Sequence, residues 1–143
     1  MKLFARLWEW FGRRKEPKSV GARGEMVAAR YLKRRRYIIV ARGERDKLGE
    51  LDLIAIDGHT LVFVEVKTRR STDKGHPADA VDDAKQRRLT RLALAYLRRH
   101  DLLDNPARFD VIAIVWPDNA KKPTSIEHYK NAFEPVGQGQ MFS

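Results

Sequence analysis

The chain has 143 residues, 43% hydrophobic and 34% charged, enough for one domain with its own core. No apolar run approaches the roughly 18 residues of a membrane span. The lack of cysteine excludes disulfides and thiolate metal sites and accords with a reducing, cytoplasmic location. A formal charge of +10 and a pI of about 10.1 point to a polyanionic partner, nucleic acid ahead of an anionic membrane surface.

Residues 1–19 form a basic aromatic segment and linker. Leu3, Phe4, Leu7, Trp8 and Phe11 recur at helical spacing, with Arg13, Arg14 and Lys15 behind them. The stretch is too short and aromatic for a secretory signal. Such a segment docks on its own domain or on a second copy of the chain as a homodimer, stacks on bases, or lies on a membrane through residues 1–15. One domain is expected over 20–133, followed by a flexible Gly- and Gln-rich tail, 134–143.

A helix is predicted from Ser19 or Gly21 to about Arg35, with Val27, Ala28, Tyr31 and Leu32 as its apolar stripe. Glu25 lies near its start, where a carboxylate favours the positive end of the helix dipole. Lys33 to Arg36 crowd the other end, solvated or on phosphates. Tyr37–Ala41 reads as a short strand and Arg42–Leu48 as a charged connection.

Two β-branched-rich runs follow, Leu51–Ile56 and Leu61–Val66, around Asp57-Gly58-His59-Thr60, a strong hairpin signal. A loop at Gly58-His59 or over 57–60 sets Asp52 opposite Glu65; a loop at Asp57-Gly58 leaves Glu65 one diagonal step away on the same face. Ile54, Ile56, Leu61 and Phe63 make that face apolar near the turn, and Asp52, Glu65 and Lys67 make it charged at the far end, with Glu50 two residues before Asp52. Leu51, Leu53 and Ala55 against Val62, Val64 and Val66 make the other face apolar throughout. Cross-strand Cβ atoms are about 5 Å apart, so paired carboxylates need a shared proton or a cation. Oxygen-only ligands suit Mg2+ or Mn2+. A salt-bridge cluster at a hairpin end is the plainer alternative.

Thr68–Ala80 is polar and reads as a loop. A second helix is predicted from about Pro77 to His100, with Val81, Ala84, Leu89, Leu92, Ala93, Tyr96 and Leu97 inward and Asp79, Asp82 and Asp83 in its first turns. Arg87, Arg88, Arg91, Arg98 and Arg99 read mainly as solvated face, with some share in backbone binding. Arg108–Trp116 reads as a buried strand, in which Asp110 begins the strand or pairs with a cation. Ser125–Phe133 reads as an edge strand. His59 sits in a turn, His76, His100 and His128 look like surface, and none has zinc-ligand spacing. No P-loop or nucleophile elbow occurs.

Asp52, a twelve-residue gap and then Glu65-Val66-Lys67 resembles the D…(D/E)xK signature of the PD-(D/E)xK nucleases. With Gly24-Glu25, Gly49 to Ala55, Val62 to Arg69 and Lys85-Gln86, the chain from about 20 to 116 resembles the uncharacterised bacterial YraN-like family, grouped by similarity with archaeal Holliday-junction resolvases. Leu51 stands where the signature often has proline. The resemblance implies an α/β fold with a restriction-endonuclease-like core, a mixed sheet of about four to five strands in the order αβββαβ. It implies a metal-dependent endonuclease that hydrolyses phosphodiester bonds in DNA, including branched DNA. In that reading Asp52 and Glu65, with Glu25 and the Val66 carbonyl, hold Mg2+ or Mn2+, which polarises the phosphate and acidifies a water. Lys67 orients that water or stabilises the developing charge, and Gln86 reaches the active-site region. A nucleic-acid-binding module of the same fold with weak or no cleavage is the alternative.

Overall fold

The computed structural model describes residues 20–71 and 81–136. The segment 1–19, residues 72–80 with His76 and Asp79, and the tail from 137 lie outside the described residues.

The hairpin predicted from the sequence forms. Strands β2 (Gly49–Asp57) and β3 (Thr60–Arg69) pair antiparallel with Ile56 opposite Leu61 and Asp57 opposite Thr60, around a two-residue loop at Gly58-His59. Gly58 supplies the left-handed backbone there, φ 64°. Strand β1 (Ile38–Asp46) is longer than Tyr37–Ala41, because the charged residues predicted as a connection continue it. As an edge strand with one neighbour it tolerates polar side chains, and pairing with β2 satisfies its backbone; it turns at Lys47-Leu48, with Asp46 opposite Gly49.

Strand β4 (Ala107–Val115) lies parallel to β3, from Leu61 opposite Ala107 to Arg69 opposite Val115. Parallel neighbours need a long crossover, which carries the second of the two helices among the described residues, α1 (Val20–Arg34) and α2 (Asp83–Arg99). Strand β5 (Ser125–Phe133) closes the far edge antiparallel to β4, as expected. The result is an α/β fold on a five-stranded mixed sheet in the order β1-β2-β3-β4-β5, with the predicted αβββαβ succession and one further strand.

Each helix covers one apolar layer. Ala28, Ala29 and Leu32 of α1 pack with Leu53, Ala55, Val62, Val64, Ile112 and Ile114. Leu89, Leu92, Ala93, Tyr96 and Leu97 of α2 pack with Ile54, Ile56, Leu61, Phe63 and Phe109. A sheet buried on both faces reads as near-continuous apolar runs, which is why β2, β3 and β4 stand out in the sequence. Helix α2 starts at Asp83, later than Pro77. Asp82 is extended (φ −69°, ψ 173°) and its carboxylate accepts from the Lys85 N–H, a polar cap that ends the coil. Among the described residues no helix is long and apolar enough to cross a membrane.

Leu51 departs from expectation. It packs in the α2-side core with Ile54 and Ile56, although alternation would place it with Leu53 and Ala55. The regular β2–β3 ladder ends at Leu53 opposite Val64. On the other side, the β1–β2 pairing keeps one register from Arg42–Leu53 to Glu44–Leu51, its shift lying earlier, between Ile39 and Ala41. The residues between are Asp52 and Gly43, which has φ 58°. The strand changes face at Asp52.

Candidate metal centre

That change of face puts Asp52 in the gap where β2 and β3 part. Its carboxylate takes the place of a ladder acceptor, receiving the Val66 N–H at 2.9 Å. Asp52 is largely sheltered, and burial, then the charge of Glu65 and that of Glu25, push its pKa up to about 8 against the pull of the Val66 N–H. An acid so placed stays protonated at neutral pH unless a cation joins it.

Glu25 reaches the same point from α1. The helix approaches β3 at Gly24, which is buried, and a Cβ there would collide with the Thr68 hydroxyl. Glycine permits the approach, and the next residue is carried to Asp52. Glu25 hydrogen-bonds with Asp52, and burial, then the charge of Glu50, raise its pKa. Carboxylate oxygens of Glu25, Glu50 and Asp52 all lie within 4.8 Å of one another. On its outer side Glu50 is held by Arg45 at 2.8 Å.

Beside this trio stands a second group. Glu65 is buried, 7% exposed, and its Oε1 receives Lys85 Nζ and, at 3.4 Å, Lys67 Nζ. Burial, then the nearby Lys85 ammonium, lower the pKa of Lys67. For Lys85, burial acts downward, but its bond to Glu65 prevails and the pKa rises.

The structure therefore brings Glu25, Asp52, Glu65 and Lys67 to one end of the sheet and adds to the sequence reading around them. Glu50 was noted only as a neighbour and is the third member of the carboxylate trio; Glu65 stands outside that trio, held by two lysines. Val66 offers its N–H to Asp52, a bond that leaves the expectation for its carbonyl, a separate group, as it stood. Gln86 braces the start of α2, its side-chain amide donating to the Val81 carbonyl at 2.8 Å, and Lys85 is the residue of that pair that reaches Glu65. Glu50 was legible from its spacing, since i and i+2 share a strand face. Lys85 entered only through the Lys85-Gln86 step that the resemblance carries, where a helical glutamine or lysine reaches the active-site region; no spacing along the chain places it, because only the crossover brings it over β3.

His128 is not surface. Its side chain is 3% exposed and its Nε2 meets the wholly buried Asp110 at 2.7 Å. Asp110 also accepts from Arg108 Nε and the Asn131 N–H, both at 2.9 Å, so its predicted ion-pair role holds, inside the core. Burial alone would raise its pKa, but the bonds from His128, Arg108 and Asn131 outweigh burial and lower it. His100 is half-buried at the end of α2.

Relatives known from sequence bear out the family to which the motifs pointed. A "UPF0102 protein" of Rhodopirellula baltica is 49% identical over 129 residues, covering 89% of this chain and 77% of the relative. One of Geotalea uraniireducens is 52% identical over 121 residues, 85% of this chain and 94% of the relative. One of Geobacter sulfurreducens is 53% identical over 119 residues, 82% and 90%. The family profile matches residues 24–114, from the glycine that admits α1 to the strand that carries Asp110. By that match and those identities, the chain belongs to the uncharacterised protein family UPF0102, the YraN family.

Proposed function

We propose that this protein is a divalent-metal-dependent nuclease that hydrolyses phosphodiester bonds in DNA. The observation that carries the reading is the carboxylate trio Glu25, Glu50 and Asp52, within 4.8 Å of one another and adjacent to the lysine-bound Glu65. Three hard oxygen donors, one of them an acid whose anion burial disfavours, suit Mg2+ or Mn2+. Glu25, Glu50 and Asp52 would hold the ion, with Glu65 close by. Bound there, the cation would supply Lewis-acid polarisation of a phosphodiester and acidify water. The protein's own groups do the rest. The Val66 N–H fixes the orientation of Asp52, Glu65 positions Lys67, and the Lys67 ammonium would face the negative charge that develops on the phosphate. Removing such a charge stabiliser costs about 10²–10³ in rate.

One observation favours the alternative, a nucleic-acid-binding module with weak or no cleavage. Glu65 is engaged by two lysines, as in a structural ion-pair network. Incubating the full chain with junction, flap and single-stranded DNA in Mg2+ or Mn2+ decides between them. Cleavage is expected from the wild type and lost in Asp52→Asn and Lys67→Ala. Metal-independent binding with no products from the wild type on any substrate would overturn the nuclease reading.

A further inference from the structure

Helix α2 turns an unusual face to solvent. At 100° per residue, Ala84, Arg87, Arg88, Arg91, Ala95 and Arg98 fall within a sector of about 100°. All six are exposed except Ala95, which is half-buried. Every charged member is arginine and no acid interrupts them. A solvated helix face ordinarily interleaves both signs. Here Arg87 and Arg91 stand at i, i+4 and Arg88 and Arg91 at i, i+3, arrangements that each cost about 0.2–0.5 kcal/mol. Arg87, Arg88, Arg91 and Arg98 make no ion pair with another described residue, whereas Arg99, just outside the sector, is tied to Glu44 and Asp46.

The face begins at the candidate metal centre. Lys85, in the first turn, is the residue that holds Glu65. Arg88 lies against the start of β2: a Cβ on Gly49, the neighbour of Glu50, would meet its Cδ at 3.6 Å. The cations at the end of α1 lie elsewhere. Arg36 precedes β1, whose Ile38 pairs with Ile56 beside the Asp57–Thr60 turn, at the opposite end of the sheet from Glu50 and Asp52.

We infer that this arginine face is a track for the backbone of duplex DNA, leading an arm of the substrate to the metal centre; the inference rests on the nuclease reading for what lies at the end of the track. Guanidinium groups match phosphate oxygens bidentately, which lysine does not. The alanines between them leave room for a backbone to approach. From Arg87 to Arg98 the track runs about 16 Å at 1.5 Å per residue, close to five base steps at 3.4 Å. The sector carries no aromatic residue, which a single-strand stacking platform needs. It also lacks the large apolar residues of a helix that lies in a membrane surface.

The test measures binding of the full chain to a fluorescent 20-base-pair duplex in EDTA across a salt series, so cleavage plays no part. One variant carries Arg87→Gln, Arg88→Gln, Arg91→Gln and Arg98→Gln; a charge-matched control carries Arg30→Gln, Lys33→Gln, Arg34→Gln and Arg36→Gln. Four lost phosphate contacts flatten the slope of log K against log salt by about 3.6, at about 0.9 per contact. That flattening is expected in the first variant and not in the control, with circular dichroism unchanged in both. An unchanged slope in the first variant, or an equal loss in the control, overturns the inference. So does binding of phosphatidylserine vesicles through these arginines with no binding of duplex. The nuclease reading fails separately: if wild-type protein binds through the track but never cleaves with metal, the track stands and the nuclease does not.

Discussion

Replacing Asp52 by asparagine should make the metal-free protein more stable while removing its chemistry. The folded carboxyl keeps its proton up to about pH 8, whereas an unfolded one releases it near 3.8. Between those values the folded chain binds more protons, so wild-type stability falls as pH rises across that window. At about 1.4 kcal/mol for each tenfold change in the ionisation equilibrium, the ceiling on the loss at pH 8 is about 6 kcal/mol. Asparagine retains an oxygen for the Val66 N–H and carries no proton to lose. It forfeits at most the bond with Glu25, about 1 kcal/mol. In EDTA, urea unfolding should show Asp52→Asn about 1–4 kcal/mol more stable than wild type at pH 8, with the advantage shrinking toward pH 4. Saturating Mg2+ or Mn2+ should favour the wild type instead, by about 2.7 kcal/mol at one hundred times Kd, since only its carboxylate trio is intact. An Asn variant less stable than wild type at pH 8 in EDTA, or pH profiles that run parallel, would refute the account of a buried acid awaiting a cation.

Gly24→Ala should cost about 1–3 kcal/mol by driving α1 from Thr68, with metal affinity falling as Glu25 withdraws; Thr68→Ala in the same chain should restore part of both, read by urea unfolding and calorimetric titration. Asp110→Ala should destabilise by about 3–5 kcal/mol, because Arg108, His128 and the Asn131 N–H lose a shared buried acceptor. Since the folded pKa of Asp110 is lowered, its contribution is present above the unfolded value and lost as pH falls through the folded one, so the gap between variant and wild type should close only in acid. Lys85→Met, which leaves Glu65 with Lys67 alone, should cost about 1–3 kcal/mol in denaturant melts, and Gln86→Ala, which removes the bond to the Val81 carbonyl, about 1 kcal/mol.

The hairpin shows how much of this was legible beforehand. Asp57-Gly58 between two apolar runs signalled the hairpin, and each candidate loop left Asp52 and Glu65 on one face; the structure takes the loop at Gly58-His59, and its ladder ends at Leu53 opposite Val64, just short of that pair. Lys67 followed from the period of two along a strand. Periodicity could not foresee the break at Asp52, where the ladder opens, Leu51 changes face and the carboxylate takes the Val66 N–H. Nor did it reveal that β1 runs on through Arg42–Asp46, since an edge strand with a polar face looks like a loop in one dimension. His128 looked like surface for the same reason: its burial comes from Asp110 on the neighbouring strand and from the rings of Tyr31 and Tyr37, all distant in the chain.

By itself the sequence determined the local chemistry: the central hairpin and the apolar stripes of both helices, and that two acids and an amine leave the core at one end of a ribbon. These follow from periods of 3.6 and 2 and from a single turn. The tertiary structure decided that Glu25 and Glu50 close on Asp52 while a second lysine, Lys85, takes Glu65. Glu25 and Lys85 meet Asp52 and Glu65 because a glycine lets α1 sink against β3 and a crossover lays α2 over the other face, whereas Glu50 comes with Asp52 on β2. Side chains from separate elements converge through packing, which no short-range pattern encodes.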